Sequence, residues 1–369
     1  MCSSVPICDI SISPEYISRR SSSSEASSSD RVEESSVHSQ NSMLSKGTND
    51  HPQRVFSEES YLSHDAFSPS TTEEAYLDVS TPLQYGVHTC KGRRPYMEDV
   101  VFASAGVFPS LQARTAVFCL FDGHGGDYVS TAVARMFSAG IDQICPQRLM
   151  ESPQQALTEV FLKADRLLLE SKMSQRCGSC ALVTFLIGDN LYVANAGDSA
   201  AVLSKGGQAF PLNKLHTPTD AAECERIKAA GGIVDYGKGE VQRVYTADRR
   251  GGLMVTRALG DGLLKGPHGE GGVLTAEPAV TVVPLTAADD FYVLATDGVW
   301  DVLSPEQVVH EIVKRKLKCP QKAAEKVLRA ARRRGAADNI SVVVVFLNHP
   351  PASLPLTRKS SWRRFFDRS

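Results

Sequence analysis

Four apolar runs in this chain break off at, or start from, an aspartate. Thr115-Ala-Val-Phe-Cys-Leu-Phe121 leads into Asp122-Gly123-His124-Gly125-Gly126, and Phe291-Tyr-Val-Leu-Ala-Thr296 leads into Asp297-Gly298-Val299-Trp300-Asp301. Leu191 to Gly197 leads into Asp198-Ser199, and Asp338-Asn339 stands immediately before Ile340–Leu347. Runs of this length, partly β-branched and bounded by Gly, Asp or Asn, read as buried strands. A fold that buries them must bring their ends somewhere, and each end carries a charge that resists burial without a partner.

Further strand-like runs are Cys180–Ile187, Ala200–Ser204 and Ala279–Leu285. Gly188-Asp189-Asn190 and Lys205-Gly206-Gly207 sit where tight hairpins are needed, so neighbouring strands are expected to be antiparallel. Helices fall between the strands. Ser152-Pro153-Gln154-Gln155 offers an N-cap, a proline at N1 and a capping-box glutamine, ahead of a stripe of Leu157, Val160, Phe161, Ala164, Leu167 and Leu168. Ser304-Pro305-Glu306-Gln307 repeats the device before Val308, Val309, Ile312 and Val313. Asp220 with Glu223 opens a helix that Gly231-Gly232 stops, and another is predicted from about Pro320 to Arg334, ending at Gly335. Hairpin-linked strands with separate helices favour α+β over a doubly wound parallel sheet.

Composition divides the chain of 369 residues into three. Residues 1–80 contain 23 serines and isolated apolar residues without periodicity, so they are expected to be a disordered tail. Ser13-Pro14, Ser68-Pro69 and Ser21 after Arg19-Arg20 are phosphate-acceptor candidates there. Residues 81–349 read as the packed domain. Residues 350–369 are Pro-rich and then basic and aromatic, with Arg358, Lys359, Trp362, Arg363, Arg364, Phe365, Phe366 and Arg368. The net charge of −2 gives no polyanion-binding footprint, so nucleic acid is not expected as a partner. No apolar run approaches a membrane span, and the first residues show no signal peptide and no myristoylation glycine. Nine scattered cysteines, an odd number, fit a reducing compartment. The expectation is an intracellular monomer, cytoplasmic or nuclear.

The acids carry the chemistry. Carboxylates gathered at neighbouring strand ends raise one another's pKa, and no strand end carries a Lys or Arg beside it in sequence. An oxygen-rich set without cysteine suits Mg²⁺ or Mn²⁺ rather than Zn²⁺. Glu98-Asp99, after Arg93-Arg94, adds two acids and a basic pair. His124 on the same rim is a candidate general acid, and the Arg94 guanidinium is a fork suited to a phosphate dianion.

Eight ordered motifs resemble those of the type 2C metal-dependent protein serine/threonine phosphatases. They are Arg94-x-x-Met97-Glu98-Asp99, Phe121-Asp122-Gly123-His124-Gly125-Gly126, Gly178-Ser179, Ala196-Gly197-Asp198-Ser199, Ala230-Gly231-Gly232, Thr256-Arg257-Ala258-Leu259-Gly260-Asp261, Ala295 to Asp301, and Asp338-Asn339-Ile340-Ser341-Val342, spanning Tyr85 to Leu347. The resemblance implies a four-layer α-β-β-α sandwich: two antiparallel sheets face to face, flanked by helices, with metals at one end. It further implies that Asp122 bridges two Mg²⁺ or Mn²⁺ ions, that the Gly123 carbonyl holds one, and that Asp297 and Asp338 hold the other. Glu98 and Asp99 would act through waters, and Asp198, Asp301 and Asp297 would hold a weaker third ion. Arg94 would grip the phosphate and His124 would protonate the leaving Ser or Thr oxygen, with water attacking phosphorus directly and no phosphoenzyme. Phosphoproteins would be the substrates.

Two positions depart from the family pattern: Ala200 replaces a common Arg after Gly-Asp-Ser, and Leu215-His216-Thr217-Pro218 replaces Asp-His-Lys-Pro. The substrate flap would be Pro211–Gly252, with a mobile Gly237-Lys238-Gly239. A thiol phosphatase is excluded, because no cysteine has Arg six positions on. Cys177 and Cys180 read as buried reduced thiols. An inactive scaffold that keeps the fold would have lost carboxylates, and this chain retains them.

Overall fold

Seven of the fourteen strands among the described residues follow the apolar runs directly. The computed structural model describes residues 83–236, 241–266, 269 and 271–347; the serine-rich segment, the basic-aromatic tail and Gly237-Lys238-Gly239 lie outside the described residues. In chain order the strands are β1 (Gln84–Cys90), β2 (Val100–Ala105), β3 (Thr115–His124), β4 (Gly178–Ile187), β5 (Asn190–Ala196), β6 (Ala200–Lys205), β7 (Gln208–Pro211), β8 (Ile233–Asp235), β9 (Arg243–Tyr245), β10 (Gly251–Leu253), β11 (Leu259–Gly260), β12 (Ala279–Pro284), β13 (Asp289–Ala295) and β14 (Ile340–Phe346). The helices are α1 (Tyr128–Gly140), α2 (Pro146–Glu151), α3 (Pro153–Leu169), α4 (Ala221–Ala229), α5 (Asp297–Trp300), α6 (Pro305–Val313) and α7 (Pro320–Arg333).

One sheet has the order β1-β14-β13-β6-β7; the other has the order β12-β5-β4-β3-β2, with β11 added to β4. Every pairing between strands is antiparallel, as the two hairpins required: Ile187 faces Asn190 and Lys205 faces Gln208. Gly206 and Gly207 both take positive φ in the two-residue turn, the backbone that a tight hairpin demands.

Strand alternation sorts the core into layers. Phe118 and Leu120 of β3, Leu182 and Leu186 of β4, Tyr292 and Leu294 of β13, and Val343 and Val345 of β14 share one buried cluster between the sheets. There the Phe118 and Tyr292 rings meet edge-on at 6.2 Å. The opposite face of β3, with Val117, Cys119 and Phe121, packs on Val133 and Phe137 of α1 and Phe161 of α3. On the far side α7 covers β1 and β14. Helix, sheet, sheet, helix is the expected order of layers.

Two helix starts differ although they share one motif. Ser304 accepts from the Gln307 N–H while the Gln307 side chain accepts from the Ser304 N–H, a complete capping box. Ser152 makes no such cap. It is also the C-cap that follows α2, its N–H bonded to the Arg148 carbonyl, and that role fixes its backbone away from capping geometry. The expected flap is largely ordered: α4 opens on an Asp220 cap and β8, β9 and β10 form a small sheet. Ile227, Val244, Val255 and Leu264 give it a core of its own. No helix among the described residues is long and apolar enough to cross a membrane.

Candidate metal centre and catalytic rim

All the aspartates in question emerge at one end of the sandwich. Register sets this: Phe121 pairs with Val100, Ala181 with Ala196, and Ala295 with both Ala200 and Val342. Asp122 shares strand parity with Phe118 and Leu120, so it projects between the sheets where apolar packing stops. Asp198 follows β5 of the same sheet, while Asp297 follows β13 of the other. Oxygens of Asp122, Asp198 and Asp297 lie within 4.8 Å of one another. This tightest grouping includes Asp198, which the resemblance assigns only to a weaker third ion. Asp297 is also the first residue of α5, and Asp301 stands one turn on, exposed, its N–H bonded to the Asp297 carbonyl.

The remaining acids form a supported ring. Asp99 is buried; its Oδ2 accepts from Thr296 Oγ1 at 3.1 Å and Ser341 Oγ at 2.8 Å. Glu98 Oε1 accepts from the Gly126 N–H at 2.6 Å, and the Glu98 carbonyl accepts from Ser130 Oγ. Asn339 stitches this loop to β14, its Oδ1 accepting from the Glu98 N–H and its Nδ2 donating to the Lys91 and Tyr96 carbonyls. Asp338 pairs with Arg94. No strand end carries a cation beside it in sequence, and the partner of Asp338 arrives from the β1–β2 connection, 244 residues away.

Electrostatics follows from this crowding. Burial, with the charges of Asp297, Asp99, Asp198 and Asp338, pushes the Asp122 carboxyl well above its ordinary range. Burial, aided by Asp338, raises Asp99 to about 6. Asp99 Oδ1 is buried without a hydrogen-bond partner among the described residues. An oxygen-only donor set of this kind fits a hard divalent cation, which would relieve the mutual repulsion. The nearby sulfur does not compete: burial holds the Cys180 thiol well above its usual pKa, and it donates to Asp198 Oδ1 at 3.4 Å. Cys177 is buried and donates to the Gly126 carbonyl, so both are thiols, as expected.

His124 lies on the same rim with a partner that sequence reasoning left without a role. Its Nε2 is 2.7 Å from Asp261 Oδ2. Burial alone would lower the His124 pKa, but Asp261, together with Asp198 and Glu98, holds it above the ordinary value. Gly178 makes the pair possible: a Cβ there would sit 1.9 Å from the Asp261 carboxylate and 2.5 Å from the imidazole. Asp261 has left-handed backbone, φ 53°, just beyond β11. Behind it, Asp165 of α3 accepts from the Gly260 N–H and from the fully buried Lys265 ammonium, each at 2.7 Å. His216 braces Asp198 similarly, its Nδ1 accepting from the Gly197 N–H at 3.3 Å. Burial, with Arg257 nearby, lowers His216 to about 3 and keeps the ring neutral.

Comparisons with known proteins agree with this architecture. The family model described as protein phosphatase 2C matches residues 83–340. The chain is 35 % identical over 280 residues to probable protein phosphatase 2C 69 of Arabidopsis thaliana, covering 75 % of this chain and 74 % of that one. It is 33 % identical over 278 residues to probable protein phosphatase 2C 45 of Oryza sativa subsp. japonica, covering 75 % and 92 %. The crystal structure of serine-threonine phosphatase 2C from Toxoplasma gondii superposes with a TM-score of 0.61 at 23 % identity, covering 76 % of this chain and all of that one, which is a likeness of fold. With a family match over the whole sandwich and relatives aligned along most of their length, the chain belongs to the protein phosphatase 2C family and is a metal-dependent protein serine/threonine phosphatase.

Proposed function

We propose that the acid cluster is a dinuclear Mg²⁺ or Mn²⁺ centre at which water hydrolyses phosphoserine and phosphothreonine directly, with phosphoproteins of intracellular signalling as substrates. The observation that carries this reading is the convergence of Asp122 and Asp198 from one sheet with Asp297 from the other. In it, Asp122, the Gly123 carbonyl, Asp297 and Asp338 would hold the two principal ions. Glu98 and Asp99 contribute through waters, and Asp198 and Asp301 complete the set. Bound there, the cations would supply Lewis acidity, the chemistry that gives a water nucleophile at neutral pH and offsets charge on the phosphate.

The chain's own groups do the rest. Arg94 uses one of its N–H donors on Asp338 and keeps others for phosphate oxygens. His124, whose pKa Asp261 holds above the ordinary value, gives a proton to the leaving Ser or Thr oxygen as the bond to phosphorus breaks. With Nε2 engaged by Asp261, Nδ1 is the nitrogen that faces this task. No thiol takes part. All seven cysteines of the described residues are free. The alternative of a binding scaffold is disfavoured by the retained carboxylates.

Hydrolysis of a phosphothreonine peptide by the full chain tests the reading. Turnover should require added Mg²⁺ or Mn²⁺, vanish with EDTA and survive thiol alkylation. Asp297→Asn should lower it by at least about 100-fold with the circular dichroism unchanged. Metal-independent turnover, or near-normal activity of Asp297→Asn, would refute it.

A further inference from the structure

The near-neutral chain hides two opposite blocks of charge. Residues 314–334 carry ten Lys and Arg against the single acid Glu325, a net of +9. Residues 21–82 carry eleven Asp and Glu against three Lys and Arg, a net of −8. The basic block is one surface. Lys314, Arg315, Lys316 and Lys318 are exposed in the connection before α7; Lys322, Arg329, Arg332 and Arg333 lie along its exposed face, while Ala323, Ala324, Val327 and Leu328 are buried beneath. Arg315 pairs with Glu311 and Arg329 with Glu325. Among the described residues, Lys314, Lys316, Lys318, Lys322, Arg332 and Arg333 have no carboxylate partner.

The acidic block is tethered at this surface. The described chain begins at Leu83 and enters β1, whose Val87 is bound to the first turn of α7: the Val87 N–H donates to Gln321 Oε1 at 3.0 Å and the Val87 carbonyl accepts from Gln321 Nε2 at 2.7 Å. Gln321 stands between Lys318 and Lys322. Residues 21–82 therefore join the domain beside the basic surface, and 62 residues of chain are long enough to span it at up to about 3.3 Å per residue. The 14 residues of α7 extend only about 21 Å.

We propose that the acidic segment 21–82 docks intramolecularly on the basic surface of residues 314–334. Each exposed ion pair is weak. The tether raises the local concentration of the segment to about the millimolar range, so many weak pairs suffice and an external polyanion meets an occupied surface. Phosphorylation of the segment's serines, each adding about −1.5 to −2 charges, strengthens the contact, and salt weakens it. The inference is independent of the chemistry proposed for the acid cluster.

Zero-length carbodiimide cross-linking of the full chain, read by mass spectrometry on an equal mixture of ¹⁴N and ¹⁵N protein, tests it. Asp50, Glu58 and Glu59 lie more than twenty residues from the point of entry, so links from them are not forced by proximity in sequence. At low salt they should join Lys314, Lys316, Lys318 or Lys322 within one chain. The yield should fall at least about fivefold in 0.5 M NaCl. It should fall at least about threefold in Arg329→Gln/Arg332→Gln/Arg333→Gln, which leaves every reactive lysine in place. Absent links, links between isotopically different chains only, or a yield indifferent to salt and to the arginine changes would each overturn the proposal.

Discussion

Asp261 shows how much a single side chain can set. It lies outside the acid cluster, yet it is the partner that keeps His124 above its ordinary pKa despite burial. A general acid works only while protonated, so activity is lost as pH rises through its pKa. Asp261→Asn keeps the shape and removes the charge, which lowers the imidazole pKa; the alkaline limb of the kcat profile should move to lower pH. An unshifted limb would mean that Asp261 serves only packing. The carboxylates were legible in the sequence because strands announce themselves by apolar runs and the acids stand at their ends. Asp261 sits inside a motif, but its role was not legible: a two-residue strand and a left-handed φ precede any pattern that periodicity could detect. Asn339, Thr296 and Ser341 escaped for a related reason, since their hydrogen bonds join positions some 45 to 250 residues apart.

Elements were readable in proportion to their burial. β3, β4 and β14 are buried nearly throughout and stand where apolar runs predicted them. β1 and β2 were missed because β1 mixes polar and apolar residues and neither strand is deeply buried. The β8–β10 sheet is made of three-residue strands, too short for alternation to register. β1 nevertheless has a demanding contact. At Gly86 a Cβ would lie 2.2 Å from the Gln321 amide nitrogen and 2.3 Å from the Pro320 carbonyl carbon, both of them backbone. Gly86→Ala must therefore push α7 off the sheet, and urea unfolding should report a loss of about 1–3 kcal/mol. Unchanged stability would show that the helix can shift freely.

For the molecule as a whole, the layers were implied by family resemblance and the α+β class by hairpins, while the distribution of charge was obscured by its own average. A net of −2 argued against polyanion partners, and that argument treated as uniform a surface on which α7 is strongly basic. The site has a global consequence too. Asp122 and Asp198 hang from one sheet and Asp297 from the other, so a cation bound to all three rivets the two halves of the sandwich together. Binding only to the folded chain, it would lend the fold about 2.7 kcal/mol at a hundred times its dissociation constant. Calorimetry should then find the melting temperature climbing by several degrees with the logarithm of free Mn²⁺, and Asp297→Asn should flatten that climb. Heat tolerance in this enzyme would thus be set by the ionic composition of its surroundings as much as by its amino acids.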